Sequence, residues 1–399
     1  MTTRSLFWLM GPLGLLSATL SCTSDKPVKC IYSEPKKLTE NAATMIPSST
    51  LIGVGTNFVL AGLAQTAVGT TASWAPLSAI GVVQPASTIT LTETPVIAPQ
   101  VAVTSRVTPG DQLVVVYGIM NADLQIELRA VTQFLGEAQA APISLKVLPK
   151  GLAVTDVRFA VGSSRTGLRA LVAWGLANQP GTKIETLLLG ANGVAVGTPL
   201  SFDAPDTWKC LQFVPSRTDW GLSFVRITPS STGKPWFVIE EGRDNNNTLA
   251  RYNVSLSTAD VSCPVVAPSD RGYLISWQTM NGTWVSDYNI EKSAVSAEFV
   301  AGAVRFGDQS EQPPIAGVAA MGFDAAVTFG VKKGPQVWLF NAFGAHVGEE
   351  LKLPAPSGSV GPISTWPLSN AFYATYREGT APSAAEGPRW FMKVECPAN

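Results

Sequence analysis

A unit of about 50 residues recurs along this chain, and residues 168–202 contain its clearest copy. There, an apolar run ends at Trp174, a loop rich in Gly and Pro follows, and a second apolar run covers 184–189. The turn at 190–193 then leads into a third short run that ends at Phe202. This alternation predicts a strand, a loop, a strand, a hairpin turn and a further strand. A chain built from such units has to pack sheets against sheets.

The unit recurs at a regular spacing. Its second strand is predicted at 58–63, 113–117, 171–174, 222–225, 273–277, 326–329 and 372–376. Periods near 40–50 residues with several short strands in each are typical of propeller blades. We therefore predict an all-β fold, a β-propeller of seven four-stranded blades over residues 46–399. Many copies end in an aromatic residue, and such rings suit the gap between neighbouring blades.

Two alternatives stay open from the sequence. A string of β-sandwich domains is the first, because two units approximate one sandwich of about 100 residues. The units repeat singly, however, and no Pro-rich linker divides the chain at such boundaries. The second alternative is a propeller of six or eight blades, because the first unit, 46–91, is the least regular.

Composition excludes several classes of function. The chain has 399 residues, a formal net charge of −1 and no long run of either sign, so it lacks the electrostatic signature of nucleic-acid binding. It contains a single histidine, His346, which excludes multi-histidine metal sites. Only 14% of residues are charged, while 35 Gly and 29 Pro supply turns, a profile of an exported all-β protein. No metal or other cofactor is predicted.

The first 22 residues have the form of an export signal. Arg4 precedes an apolar run over 6–16 that is too short to span a bilayer as a helix, and small residues then lead to Cys22. This end resembles the lipobox of bacterial lipoproteins, although Thr19 stands where that family usually has an aliphatic residue. The resemblance implies lipidation at Cys22, and Thr23 after it implies the outer membrane. The alternative is ordinary secretion with cleavage near Ser21.

The rest of the chain is similar to generic propeller lipoproteins that bacteria place on their surfaces. The similarity lies in a strand ending in Trp174, a Leu-rich strand at 187–189 and the turn at Gly193. It is a loose pattern that brings no active-site residues with it. Residues 23–45 are interpreted as a tether that also contains a ring-closing strand.

Four cysteines remain after Cys22, and an oxidising compartment favours their pairing. Cys210 and Cys263 occupy matching first-strand positions in units four and five, which predicts one disulfide. Cys30 and Cys396 lie at opposite ends of the chain. The seventh unit lacks a fourth strand, and the island at 29–32 can supply it, which predicts a second disulfide that locks the ring.

Candidate binding residues lie on three long loops of the predicted ligand-facing side. They form a rim of mixed charge: Lys234, Arg305, Asp308, Glu311, Arg377, Glu378 and Arg389. Such a rim suits a protein or peptide partner, and solvated surface is the simpler alternative. His346 and the polar stretch 244–247 are interpreted as turn residues, without a catalytic or calcium-binding role. Glu240 and Glu241 are adjacent in a strand, so they point to opposite faces and do not share a proton.

The sequence thus favours a lipid-anchored, non-enzymatic scaffold outside the cytoplasm that binds a protein or ligand. It contacts the membrane through its anchor only and binds no nucleic acid, and the sequence fixes no oligomeric state. The alternative is a propeller hydrolase or lyase that uses acidic residues of the loop face, because propellers host many functions.

Overall fold

The computed structural model describes residues 30–38, 50–54, 57–66, 69–78, 80–105, 110–227, 236–243, 248–255, 263–269, 272–279, 282–290, 304–306, 315–321, 324–331, 334–340, 351–352, 360–367, 371–378 and 389–395. All regular elements within these ranges are β-strands. They pair into seven antiparallel sheets of four or five strands. No helix in the described ranges has the length and hydrophobicity needed to cross a bilayer.

Within each sheet, strands that are consecutive in the chain pair with each other. The first strands are β3 (Thr50–Val54), β7 (Ile97–Thr104), β11 (Val157–Ser163), β15 (Thr207–Val214), β19 (Val265–Pro268), β23 (Ile315–Met321) and β27 (Val360–Pro367). The second strands are β4 (Asn57–Thr66), β8 (Gln112–Met120), β12 (Ala170–Leu176), β16 (Trp220–Ile227), β20 (Gly272–Thr279), β24 (Asp324–Val331) and β28 (Ala371–Glu378).

The outer half of each sheet is built in the same way. The third strands are β5 (Gly69–Leu77), β9 (Ile126–Phe134), β13 (Thr182–Leu189), β17 (Trp236–Gly242), β21 (Gly282–Asn289), β25 (Gly334–Phe340) and β29 (Arg389–Glu395). The fourth strands are β6 (Ser87–Thr90), β10 (Ile143–Val147), β14 (Ala195–Ala204), β18 (Thr248–Ser255), β22 (Val304–Phe306) and β26 (Leu351–Lys352). In the last sheet β1 (Ile31–Tyr32) and β2 (Lys36–Lys37) pair with β29 instead.

First strands of successive sheets are neighbours from β3 to β15 and from β19 to β27, and β27 lies beside β3. Between β15 and β19 the link is the disulfide from Cys210 to Cys263. This arrangement is a β-propeller, so the predicted all-β propeller class is confirmed. Polar side chains link the inner strands. The Gln100 side chain donates to Phe159 O at 2.8 Å and accepts from Val161 N, and Gln212 Nε2 donates to Pro264 O at 2.7 Å.

Buried apolar clusters fill the space between neighbouring sheets. Three of the aromatic residues expected there lie in such clusters: Tyr117 between the first and second sheets, Trp174 between the second and third, and Trp277 between the fourth and fifth. Side-chain cores are described at five interfaces, whereas a seven-bladed ring requires seven. Seven blades are therefore not confirmed and stay a prediction.

The structure contains the disulfide between Cys210 and Cys263, whose Cα atoms lie 5.3 Å apart. Cys210 sits at a bulge of β15 with a positive φ of 61°. Cys263 lies just before β19, not within the first strand as predicted. Cys30 is also disulfide-bonded. Its predicted partner Cys396 lies outside the described residues, as does Cys22.

Candidate binding cleft at the linker face

The two ends of the sheets differ in the loops they carry. One end, which we call the linker face, bears the loops between second and third strands, such as 121–125, and the connections between sheets, such as 91–96. The other end, the hairpin face, bears the remaining turns, such as 164–169 and 190–194. Ligands of propellers were expected at the linker face, and a cavity among the described residues lies there.

This cavity, the cleft, has a volume of about 540 Å³. It lies between the ends of β4 and β5 and the connection that leads into β7. Most of its lining is neutral: Leu63, Gln65, Thr70, Pro95, Ala98 and Pro99. Glu93 supplies the carboxylate. The volume falls within the range of small-ligand and peptide side-chain pockets.

Beside the cleft, Arg129 stands between two carboxylates. Its Nε and Nη2 donate to Glu127 Oε1 and Oε2 at 3.0 and 3.1 Å, and its Nη1 forms an ion pair with Glu93. Glu127 lies two residues before Arg129 on β9, so both side chains share one face of the strand. Tyr117 OH donates to Glu93 Oε2 at 2.9 Å. The guanidinium fork thus holds one carboxylate bidentately and a second one at the wall of the cleft.

The electrostatics of this group follow from its partners. The hydrogen bonds from Arg129 lower the pKa of Glu127, and those to Glu127 raise the pKa of Arg129. Burial, followed by the hydrogen bond to Glu93, raises the pKa of Tyr117 well above its usual range. Tyr117 is therefore a neutral donor near neutral pH, and Arg129 and Glu127 are a fixed ion pair.

The connections that lead into the second, third and fourth sheets each contain an acidic residue that holds the connection in place. Asp156 accepts from Asn178 Nδ2 at 2.9 Å, and Asp206 accepts from Arg226 Nη2 at 2.6 Å. In each case the acid ties the connection to the second strand, or to the loop after it, in the sheet that follows. Glu93 does the same through Tyr117. Part of its role is therefore to fasten the connection.

A second cavity of about 470 Å³ lies at the linker face between the second and third sheets. At its wall, Trp174 Nε1 donates to Glu185 Oε2 at 2.8 Å, and Lys146 Nζ lies 3.0 Å from the same oxygen. The ring of Trp174 is buried, so it is not a stacking platform for a ligand.

Glu240 and Glu241 point to opposite faces of β17, as alternation predicts, but both are buried, which the sequence did not indicate. Glu240 pairs with Arg251. Glu241 accepts from Tyr273 OH, from Tyr252 OH at 3.1 Å and from Ser216 Oγ at 3.4 Å. Burial raises the pKa of Glu240 to about 7, and burial next to Glu241 raises the pKa of Tyr252 to about 12.

The predicted rim is not assembled into a site within the described residues. Lys234, Asp308, Glu311, His346 and the stretch 244–247 lie outside them. Arg305 belongs to β22, opposite Trp284, and not to a loop. Arg377 and Glu378 end β28, but their side chains are not described. Arg389 is the first residue of β29 and is buried, so its assignment to an exposed loop was wrong.

Sequence reasoning missed Glu93 and Arg129. The only local signal was an acid among Thr and Pro in 91–99, which also resembles an ordinary loop. Within the described part of the chain, no three His, Cys, Asp or Glu side chains lie together as metal ligands.

Comparisons with known proteins add fold-level likeness only. No family model and no curated protein sequence matches this chain. The β-propeller domain of the Trilobed protease from Pyrococcus furiosus is 8% identical, covering 89% of this chain and 97% of that one, with a TM-score of 0.44. Polysaccharide lyase Uly1 is 8% identical over 87% and 89% of the two chains, with a TM-score of 0.46.

A prolyl endopeptidase is 13% identical over 89% of this chain, with a TM-score of 0.44. The match covers 48% of that enzyme, so this chain spans about half its length. At such identities and TM-scores, none of these likenesses carries an argument about function.

Proposed function

We propose that this protein is an extracytoplasmic, lipid-anchored propeller that binds a protein or peptide partner in the cleft at its linker face. The observation that carries the proposal is that the charged side chains at the cleft are held by ion pairs and hydrogen bonds. Glu93 is engaged by Arg129 and Tyr117, and Glu127 is held bidentately by the same guanidinium. These groups are positioned to shape a binding surface.

The same contacts disfavour the alternative of a hydrolase or lyase at this cleft. A general acid needs a carboxyl whose pKa is raised toward the working pH. The pKa of Glu127 is lowered by Arg129. The described carboxylate whose pKa is raised, Glu240, is buried against Arg251 and does not line the cleft.

The lining points to a peptide segment as the occupant. Pro95, Ala98 and Pro99 present rigid, neutral surface, and Gln65 and Thr70 lie at the opposite wall. Thr70 Oγ1 already donates to Gln65 Oε1 at 2.7 Å, which leaves the Gln65 amide nitrogen for a partner carbonyl. A short extended segment with one or two small side chains fits about 540 Å³ of such a surface.

The number of blades, the strand that closes the ring and the lipid anchor are part of the same proposal. We propose seven blades, with β1 and β2 as the fourth strand of the last one. Its supports are the pairing of β1 with β29 and the position of β27 beside β3. We also propose acylation of Cys22 and residence at the outer membrane, from the resemblance of residues 1–22 to a lipobox.

Binding of a partner in the cleft is tested with a substitution that fills the cleft. Ala98 is exposed at its wall, so Ala98→Trp should occlude it without entering the core. Ala138, exposed on a hairpin-face loop, provides the matched control Ala138→Trp. Detergent extracts of the envelope fraction are passed over immobilised full-length protein. A partner retained by the parent and by Ala138→Trp, and lost with Ala98→Trp, supports the proposal; equal retention by both variants contradicts it.

The anchor is tested separately. Cys22→Ala should abolish incorporation of labelled palmitate and move the protein into the soluble fraction, because acyl chains supply the stable membrane attachment. Labelling that persists in this variant would contradict the anchor assignment.

A further inference from the structure

Exposed apolar side chains surround the place where the N-terminal segment joins the propeller. Ile31 in β1 is 57% exposed, and Tyr32 beside it is 39% exposed. Ile80 and Val82, in the turn after β5, are 63% and 55% exposed. Large aliphatic residues at turn tips in water indicate a contact surface when they gather in one place.

The turn with Ile80 and Val82 lies against β2, and β1 pairs with the same strand β29 a few residues further along. Gly81 has a positive φ of 81°, and a β-carbon on it would lie 3.3 Å from Cβ of Lys36 and 3.1 Å from Cδ1 of Phe391. The turn of the first sheet therefore packs on β2 and β29 of the last sheet. We call the surface formed by Ile31, Tyr32, Lys36, Lys37, Ile80 and Val82 the anchor-side patch.

The turn that presents Ile80 and Val82 is held by its own hydrogen bonds. Ser78 N donates to Val82 O at 3.0 Å, Gly81 N donates to Ser78 O at 2.9 Å, and Val82 N donates to Ser78 Oγ at 3.0 Å. The two aliphatic side chains are thus displayed by a defined turn. The exposure of these side chains therefore follows from the hydrogen-bonded conformation of the turn.

Charge next to these side chains is mainly positive. Lys36 and Lys37 are exposed, with the exposed Glu34 between them and β1, and Glu395 opposite Ile31 is paired with Lys393. In the sequence, the segment before Cys30, which lies outside the described residues, carries Lys26 and Lys29 against Asp25. Apolar side chains flanked by lysines are the combination that binds an anionic phospholipid surface, since the aliphatic groups enter the headgroup layer and the lysines pair with phosphates.

We propose that the anchor-side patch docks on the anionic headgroup surface of the membrane that holds the lipid anchor. This inference rests on the proposed acylation of Cys22. Seven residues lie between Cys22 and Cys30, and these eight residue steps limit the reach to about 28 Å. The anchor therefore keeps the patch near the bilayer, and a weak local affinity is sufficient to orient the propeller.

The strands place the patch relative to the cleft. The third strand β29 runs from the linker face to the hairpin face, and β1 starts beside its last residues, with Ile31 opposite Glu395. The chain thus leaves toward the lipid from the hairpin-face end of the seam. Lys36 and Lys37 pair with Phe391 and Trp390, nearer the start of β29. The turn with Ile80 and Val82 follows the end of β5, whereas the cleft is lined by the start of that strand, so this part of the patch and the cleft lie at opposite ends of β5.

The patch is tested without acyl chains, in the full-length Cys22→Ala protein. Co-sedimentation is measured with vesicles of phosphatidylglycerol and phosphatidylethanolamine, and with vesicles of phosphatidylcholine alone. We expect binding to the anionic vesicles that weakens with salt. Ile80→Asp/Val82→Asp should reduce it about tenfold or more, and Lys36→Glu/Lys37→Glu should do the same.

The control Val96→Asp/Leu124→Asp alters exposed aliphatic residues of the linker face and should leave vesicle binding unchanged. Equal losses in the patch and control variants would overturn the proposal, as would an absence of binding to anionic vesicles. Circular dichroism spectra and unfolding midpoints check that each variant folds.

A second measurement uses the acylated protein and does not depend on a loss of binding. An environment-sensitive fluorophore on Val82→Cys should shift to the blue in membranes, and one on Leu124→Cys should not. A lipid-independent dimer that Ile80→Asp dissociates would show that a second copy covers the patch, and would overturn the membrane assignment. If Cys22 is not acylated but the protein still binds anionic vesicles, the lipid anchor is refuted and the membrane-binding patch is still supported.

Discussion

The indole ring of Trp366, on β27, fills the space that a side chain at Gly53 would need on β3. The two residues meet where the first and last sheets join, so the absence of a side chain at position 53 permits this contact between chain ends. The same device occurs between the third and fourth sheets, where Phe213 covers Gly162. Glycine on an inner strand, paired with an aromatic residue on its neighbour, is therefore a recurring way in which these sheets approach each other.

The first prediction follows from that contact. Gly53→Ala should lower the free energy of unfolding by about 1–3 kcal/mol, because the new methyl group overlaps the indole of Trp366. In a Trp366→Leu background the same substitution should cost much less. Urea unfolding of the four proteins of this cycle measures the difference. An unchanged cost in the Trp366→Leu background would show that another contact is responsible.

The second prediction concerns the core between the second and third sheets. Trp174→Ala should cost about 3–5 kcal/mol of unfolding free energy, because it deletes a buried aromatic side chain. Trp174→Phe should cost less, mainly through loss of the hydrogen bond to Glu185. Asn192→Ala, on an exposed turn, is the control with a small effect. Equal shifts of the denaturation midpoint for Trp174→Ala and Asn192→Ala would contradict the assignment.

The third prediction concerns Arg129. Arg129→Gln should cost about 1.5–3 kcal/mol of stability at neutral pH, because Glu127 and Glu93 lose charged hydrogen bonds. Glu127 has a lowered pKa in the folded state, so its contribution is present above the unfolded pKa and is lost as the pH falls through the folded value. The variant should therefore lose less stability than the parent between neutral and acidic pH.

Unfolding midpoints of Arg129→Gln measured across that pH range check this dependence. Lys150→Gln, which removes an exposed cation from the next connection, is the control and should behave like the parent. Parallel stability curves for the parent and Arg129→Gln would contradict the assigned ion pair.

The fourth prediction concerns Glu240, whose pKa burial raises to about 7. Because the folded pKa lies above the unfolded one, the folded state binds more protons between these values, and stability falls as the pH rises from about 4.5 to 7. The effect is on the order of 3 kcal/mol. Glu240→Gln should remove this slope, whereas Glu137→Gln, on an exposed loop, should retain it. A slope that persists in Glu240→Gln would assign it to another group.

The fifth prediction concerns the second disulfide. Ile31 lies opposite Glu395 and Tyr32 opposite Val394. Continuing this register by one residue predicts that Cys30 faces Cys396, which lies outside the described residues. Cys30 is disulfide-bonded, and we expect non-reducing peptide mapping to recover it with Cys396. Cys30→Ser should cost about 4–5 kcal/mol in the loop-entropy model. Recovery of Cys30 joined to a peptide containing Cys22 would contradict both this pairing and the acylation.

What the sequence determined by itself was the order of strands. The second strands predicted at 171–174 and 273–277 fall within β12 and β20, and the missing fourth strand of the last unit pointed to the island that contains β1. Alternation of apolar residues and the Gly and Asn residues of turns are local properties, and strand order follows from them. The same locality explains why Glu240 and Glu241 were correctly placed on opposite faces.

Only the tertiary structure decided which side chains meet. Glu93 and Arg129 are 36 residues apart and belong to a connection and a third strand, so no local pattern pairs them. Arg389 and Glu241 look like surface residues in sequence, yet both are buried. In a propeller, neighbouring sheets cover both faces of each packed sheet. Whether a charged side chain is buried or exposed therefore depends on contacts between sheets. Those contacts are set by the packing of distant segments, which residue spacing along the chain does not encode.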